Sequence, residues 1–331
     1  MSVVRFAAAM PGRTRRRLAA SRPARVAAAL SAALLLATLT GAARQPSPSN
    51  PSNPSFPVQA AFSPPGPYAT TTGTVTDASG AAVYDLFYPA HYAALGFKSP
   101  IVTWGNGTGG DPGKVSTFLA HLASYGFTVI ASTLPNTGSG VEIDAAAHYL
   151  VAQNSAAASV FHGRLNVNEV AAVGLSQGAG GAVRAATHDP ALIKTVMTFS
   201  LPNPIWAAPN PDCPTAADCT ANPAALTRPV FFISTHGFWD SFIASPLTET
   251  AFFLSTSVHT ALGIILNSDG KPADHASIVN TADGGNPGGF LGYATAWLEY
   301  QLRGNAVAAG AFTGAHPELV SNPNWPGSAV K

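Results

Sequence analysis

The chain reads as an α/β protein with a mostly parallel central sheet and helices on both faces. Three observations lead there. From residue 80 onward, short apolar runs of strand length alternate with longer segments of helical spacing. The strand-like runs are continuously apolar rather than alternating, as expected of strands covered on both sides. The segment from about residue 66 to 320, some 250 residues, is enough for one large α/β domain.

In chain order, Val83–Tyr88 and Pro100–Trp104 are short apolar runs with turn residues at both ends. Phe118–Tyr125 has helical spacing and leads into a buried strand at Thr128–Ala131. Val141–Gln153 reads as a helix and Glu169–Val173 as a strand. Ser176–Thr187 is a helix of small residues stopped at Asp189-Pro190. Thr195–Ser200, Val230–Ser234 and Ala261–Leu266 are further strands. Phe290–Leu302 closes the domain as an amphipathic helix carrying Tyr293, Trp297 and Tyr300. In such sheets the chemistry sits on loops at the carboxyl ends of the strands.

The N-terminal part reads differently. Residues 1–43 hold seven arginines and no acid, then an apolar run Val26–Leu39 and the small residues Thr40-Gly41-Ala42-Ala43. That order predicts a secretory signal peptide cleaved after Ala43, and the run is short for a membrane span. Thr14-Arg15-Arg16-Arg17-Leu18 loosely resembles a twin-arginine signal, so Sec and twin-arginine export are both open. Residues 44–65 carry seven prolines and predict an extended linker. The expected organisation is therefore signal peptide 1–43, linker 44–65, one catalytic domain 66–320 and a tail 321–331.

Without those seven arginines, ten basic side chains face sixteen acidic ones, a formal charge of −6. A basic nucleic-acid footprint is thus missing. In an exported chain, Cys213 and Cys219 are expected to form a disulfide across a small loop. No metal-ligand spacing is visible, no cofactor motif appears, and a monomer is expected.

Gly174-Leu175-Ser176-Gln177-Gly178 is a G-x-S-x-G sequence between a strand and a helix. That context predicts a sharp, strained turn that holds the Ser176 hydroxyl above the sheet, with glycines where side chains would collide. A serine hydroxyl needs a base, usually His, and that His needs an acid to orient it. On such a sheet the order is Ser, acid, His. Asp240 is the first acid beyond Val230–Ser234, with Glu249 as competitor and a helix N-cap as its structural alternative. His275 lies beyond Ala261–Leu266, whereas His259 precedes that strand and His316 lies in the tail. His236 shares the loop of Asp240. For the oxyanion, Gln177 supplies one backbone N–H, and the loop Trp104-Gly105-Asn106-Gly107-Thr108-Gly109-Gly110 supplies the other. That loop lacks the Gly-Lys-Ser/Thr of a phosphate loop and the G-x-G-x-x-G of a dinucleotide site.

Taken together, Trp104–Thr108, Gly174–Gly178, the Asp240 loop and Asp274-His275 resemble secreted bacterial α/β-hydrolases. The resemblance is to the cutinase-like, polyester-hydrolase-like branch related to dienelactone hydrolases, and it covers roughly residues 66 to 312. It implies the α/β-hydrolase fold, ester hydrolysis without a cofactor, and a triad of Ser176, Asp240 and His275. It also implies oxyanion donors at Thr108 and Gln177. Trp206 stands displaced from the place of that group's aromatic platform, and the Cys213–Cys219 pair stands where the group has none. Trp104, Trp206, Phe238 and Trp239 are expected to contact substrate, with core packing as the alternative for each. The expected function is a secreted serine esterase acting on apolar esters such as lipid, cutin-like or synthetic polyester. A non-catalytic binding protein on the same fold is the other class, and chlorophyllase-like, thioesterase and peptidase variants lie within the enzyme class.

Overall fold

A computed structural model of the chain describes residues 56–206, 213, 215, 218–266, 273–275, 277 and 286–331. The signal-peptide reading of 1–43 lies outside the described residues.

The apolar runs become strands β1 (Thr70–Thr76), β2 (Ala82–Pro89), β3 (Ser99–Gly105), β4 (Thr128–Ser132), β5 (Leu165–Leu175), β6 (Ile193–Phe199), β7 (Val230–Thr235), β8 (Thr260–Ile265) and β9 (Ala329–Val330). They form one sheet in the order β1-β2-β4-β3-β5-β6-β7-β8-β9. The six strands β3 to β8 run parallel, and β1, β2 and β9 join antiparallel at the two edges. Every residue of β3, β4, β7 and β8 is buried, whereas the Thr-rich β1 alternates exposed and half-buried positions. That contrast is what a central and an edge strand require.

The helices used below are α1 (Pro57–Phe62), α2 (Ser116–Ser124), α3 (Val141–Ser155), α4 (Gln177–His188), α5 (Phe238–Ile243), α6 (Pro246–Ser255) and α7 (Phe290–Arg303). Side chains on alternate strand positions feed two cores. Val102, Trp104, Val173, Phe199 and Phe231 pack with Phe118 of α2 and Tyr293 and Trp297 of α7. Ile101, Ala172, Val196 and Phe232 pack instead with residues of α3, α4 and α6. Because β3, β5, β7 and β8 are parallel, their carboxyl ends open onto one edge, where Gly105, Leu175, Thr235 and Ile265 stand.

Two stretches differ from their sequence-based expectation. Residues 57–62, placed in the linker by proline content, form α1, whose Val58 and Phe62 are buried. Pro57 occupies the first helical turn, where its missing N–H costs nothing. Glu318 accepts from the N–H groups of Val58 at 2.7 Å and Gln59 at 2.8 Å. Residues 321–331, read as a tail, complete the sheet through β9, and Trp325 is buried with its Nε1 donating to Gly288 O at 2.7 Å. Cys213 and Cys219 are disulfide-bonded. Among the described residues no helix is long and apolar enough to cross a membrane.

Candidate active site

Ser176 stands between the end of β5 and the start of α4, with φ 53° and ψ −122°. A side chain is rarely held in that region, and here the neighbours enforce it. A Cβ on Gly174 would lie 2.2 Å from Gly178 O, and a Cβ on Gly178 would lie 2.2 Å from Gly105 O. Only glycines let β3, β5 and α4 approach so closely. The Ser176 N–H donates to Phe199 O at 2.8 Å, which ties the turn to β6. The side chain is half-buried, and among the described residues Ser176 Oγ has no hydrogen-bond partner.

Asp240 is delivered by the turn after β7 and lies in the first turn of α5. It is fully buried, so each oxygen needs donors. Its Oδ2 accepts from Ser200 Oγ at 2.8 Å, from the Thr235 N–H at 3.2 Å and from Thr235 Oγ1. That leaves Oδ1 for His275, whose Nδ1 donates at 2.6 Å. With the Nδ1 proton committed to the carboxylate, Nε2 is the ring atom left to accept a proton. The His275 turn is fastened to α5 by Asp274, whose Oδ1 accepts from the N–H groups of Trp239 at 3.0 Å and His275 at 2.8 Å.

Ser200 and Thr235 were not singled out by the sequence. Ser200 directly follows β6 and is, besides Ser176, the other non-glycine residue with positive φ among the described residues, at 52°. A serine just past a buried strand was the available signal, but nothing local says that it faces an acid.

The Gly-rich loop after β3 lies against the elbow, since a Cβ on Gly107 would be 3.3 Å from Ser176 Cβ. Thr108 is exposed in the tight turn closed by the Gly110 N–H to Gly107 O bond at 2.8 Å. Asn106 anchors this loop, donating through Nδ2 to Ser132 O at 2.6 Å and Leu134 O at 2.9 Å. Gln177 is half-buried, and its Oε1 accepts from the Thr137 N–H at 3.2 Å. Its backbone N–H opens the first turn of α4, where helix donors lack helical partners.

Trp104, expected at the substrate or in the core, is a core residue. It points inward from β3 into the core with Phe118 and Phe199, is 1% exposed, and donates through Nε1 to Asn106 Oδ1 at 3.0 Å. Alternation along β3 sends this position to the core face, so its part in the site is to hold the loop through Asn106. Trp206, Phe238 and Trp239 are exposed together with Phe242. Phe238 packs on Trp239 and on Phe242, with ring centroids 5.5 and 5.2 Å apart, and Trp206 Nε1 donates to Phe242 O at 2.8 Å. An exposed apolar patch of this kind suits an apolar ligand.

The competing residues lie elsewhere. Glu249 is buried on α6 and makes no hydrogen bond to His275. His259 stacks on Trp297 and contacts Lys331 O through Nδ1 at 3.1 Å. His236 and His316 are exposed. The sequence shows no metal-ligand spacing, yet the fold gathers Asp144, His148 and Asp189, with one ligand atom of each within 4.8 Å of the others. There His148 Nε2 lies 3.1 Å from Asp189 Oδ2, the arrangement of a surface ion pair.

A family model described as PET hydrolase-like matches residues 42–207, just over half of the chain. The match spans the Gly-rich loop and Ser176, and it ends before Asp240 and His275. No curated protein matches the chain.

Proposed function

Because the chain belongs to the PET hydrolase-like family and has the α/β-hydrolase fold, we propose that it is an exported serine ester hydrolase acting on apolar esters, polyesters among them. The observation that carries this reading is the His275 Nδ1–Asp240 Oδ1 bond of 2.6 Å at the sheet edge where Ser176 is held in its strained turn. Ser176 Oγ attacks the ester carbonyl while His275 Nε2 takes its proton. The carbonyl electrons move to oxygen, and the N–H groups of Gln177 and of the Thr108 loop stabilise that charge, at about 3–4 kcal/mol per donor. The tetrahedral intermediate collapses, the alcohol leaves with the proton from His275, and an acyl-serine remains. Water, deprotonated by the same imidazole, then releases the acid. Trp206, Phe238 and Trp239 are proposed to contact the apolar part of the substrate. The disulfide is compatible with export, since such bonds persist in oxidising compartments.

The purified protein is assayed with p-nitrophenyl esters of increasing acyl length and with a polyester film, beside Ser176→Ala. Hydrolysis that disappears in the variant supports the assignment. Equal rates in both proteins would sink it, and chain-length preference separates a short-chain esterase from a lipase or polyesterase.

A further inference from the structure

Glu249 is the buried acid that this chemistry leaves unused. It is fully enclosed, and neither carboxylate oxygen has a hydrogen-bond partner among the described residues. The Leu201 N–H lies near it without forming a full hydrogen bond. Its helix α6 packs on β7, on β8 and on the turn Pro223–Ala225, and none of these carries an ionisable side chain. Residues 200–203 join the two acids: Ser200 Oγ donates to Asp240, and Asn203 Nδ2 lies 3.4 Å from Thr248 Oγ1, next to Glu249. Among the described residues the charge that acts on Glu249 is that of Asp240, whereas Lys331 packs further along α6, over the Phe253 ring.

Two buried carboxylates without a cation between them cannot both hold a charge. Asp240 has two donors from Thr235, one from Ser200 and the imidazole of His275. Glu249 has no comparable set. The charge therefore belongs to Asp240 and the proton to Glu249. Burial, and after it the Asp240 charge, pushes the Glu249 carboxyl well above the usual carboxylate range. A neutral buried acid without partners still costs stability. An apolar side chain would avoid that cost.

We propose that Glu249 is a positioning residue for the Asp240–His275 pair: it stays a neutral acid while the enzyme works, and its deprotonation at alkaline pH displaces Asp240 from the imidazole. The proposal rests on the reading of that pair as the acid and base of ester hydrolysis. In the step, hydroxide takes the Glu249 proton and leaves water and a second buried carboxylate. The new charge repels Asp240. Of the Asp240 contacts, the bond to His275 is the one that reaches a half-buried turn rather than the core, so it is the one that yields.

The test uses the whole protein and Glu249→Gln, which keeps the shape and cannot ionise, with Glu249→Met as an apolar neutral replacement should the amide variant fold poorly. Two readouts are followed from pH 6 to 10.5. One is the downfield proton resonance of the His275–Asp240 bond, which needs no turnover. The other is kcat/KM on a soluble ester. In wild type both are expected to fade together at the alkaline end. In the neutral variants the resonance persists, and the ratio of kcat/KM at pH 10 to that at pH 7.5 rises by about fivefold or more. A purely packing role would shift the variants from wild type by the same factor at every pH. Superposed resonance and rate profiles overturn the proposal. A resonance that behaves as expected in a protein without ester hydrolysis supports the placement of Glu249 and sinks the hydrolase reading instead.

Discussion

Ser176 and His275 stand at the same edge of one sheet, yet main chain holds the first and side chains hold the second. Around Ser176 the constraint is backbone geometry: φ 53°, an N–H bonded to Phe199 O, and glycines at 174 and 178 that let three elements touch. Around His275 the constraint is a relay of polar side chains, from Ser200 and Thr235 to Asp240, with Asp274 fastening the turn. A backbone device cannot be loosened without disturbing the fold. A side-chain relay can lose one member and leave the fold standing. The two halves should therefore fail in different ways when cut.

The largest effect is expected on the relay side. Asp240→Asn keeps the size of the side chain but removes the charge that sets the His275 tautomer. We expect kcat to fall about 10⁴-fold, some 5 kcal/mol of barrier, with KM nearly unchanged. Steady-state kinetics check the rate, and circular dichroism checks that the melting curve stays cooperative. A loss of folding on this substitution would erase the distinction between the halves.

On the elbow side the cost should appear as stability. In Gly178→Ala the new Cβ would lie 2.2 Å from Gly105 O, so β3 or α4 must move. We expect about 3 kcal/mol of destabilisation, seen as a lower denaturant midpoint with a matching loss of activity. A variant that is fully stable but inactive would mean that the elbow acts on chemistry alone.

Next in size is Ser200→Ala. It removes one of the donors to Asp240 Oδ2 and leaves the Thr235 pair in place. A single buried donor to a charged acceptor is worth about 1.5–3 kcal/mol. We expect kcat to fall by about tenfold or somewhat more, with binding unaffected. Comparing Ser200→Ala with Thr235→Val tells whether the relay acts as a unit, since coupled members give non-additive losses.

The two halves also differ in how much of them can be read from the amino acids in order. The elbow is local: five consecutive residues and the strand and helix beside them state its geometry. The chain order of Ser176, Asp240 and His275 is a topological rule, so the placement of Asp240 beside His275 followed from it. Ser200 was invisible because its partner is set by the β6–β7 register, which brings Phe199 beside Ile233, and Thr235 because its side chain reaches Asp240 only through the fold of the turn after β7. Trp104 carried two readings, substrate contact and core packing, because a tryptophan next to a Gly-rich loop suits either, and the pleat of β3 turns it inward. Proline content hid α1, and the short strand β9 carries too few residues for any pattern. Their reason to form lies in distant partners, Glu318 for α1 and β8 for β9. Thr-rich β1 was missed for the opposite reason, as an edge strand with little apolar signal.

The smallest effect is expected where neither kind of constraint applies. Trp239 is 59% exposed, and its ring contact is with Phe238, which is itself exposed. Trp239→Ala should leave the melting temperature unchanged and raise KM for aromatic or polymeric esters by about three- to tenfold, the scale of one aromatic contact. Small acetyl esters should be turned over as before. Trp206→Ala makes the sharper comparison, because Trp206 Nε1 also donates to Phe242 O and so braces α5, the helix of Asp240. If that brace matters, Trp206→Ala lowers kcat as well as raising KM, and Trp239→Ala changes KM alone. Equal KM effects with kcat untouched in both would show that the relay ends at Ser200, Thr235 and Asp274, and that the aromatic rim serves binding only.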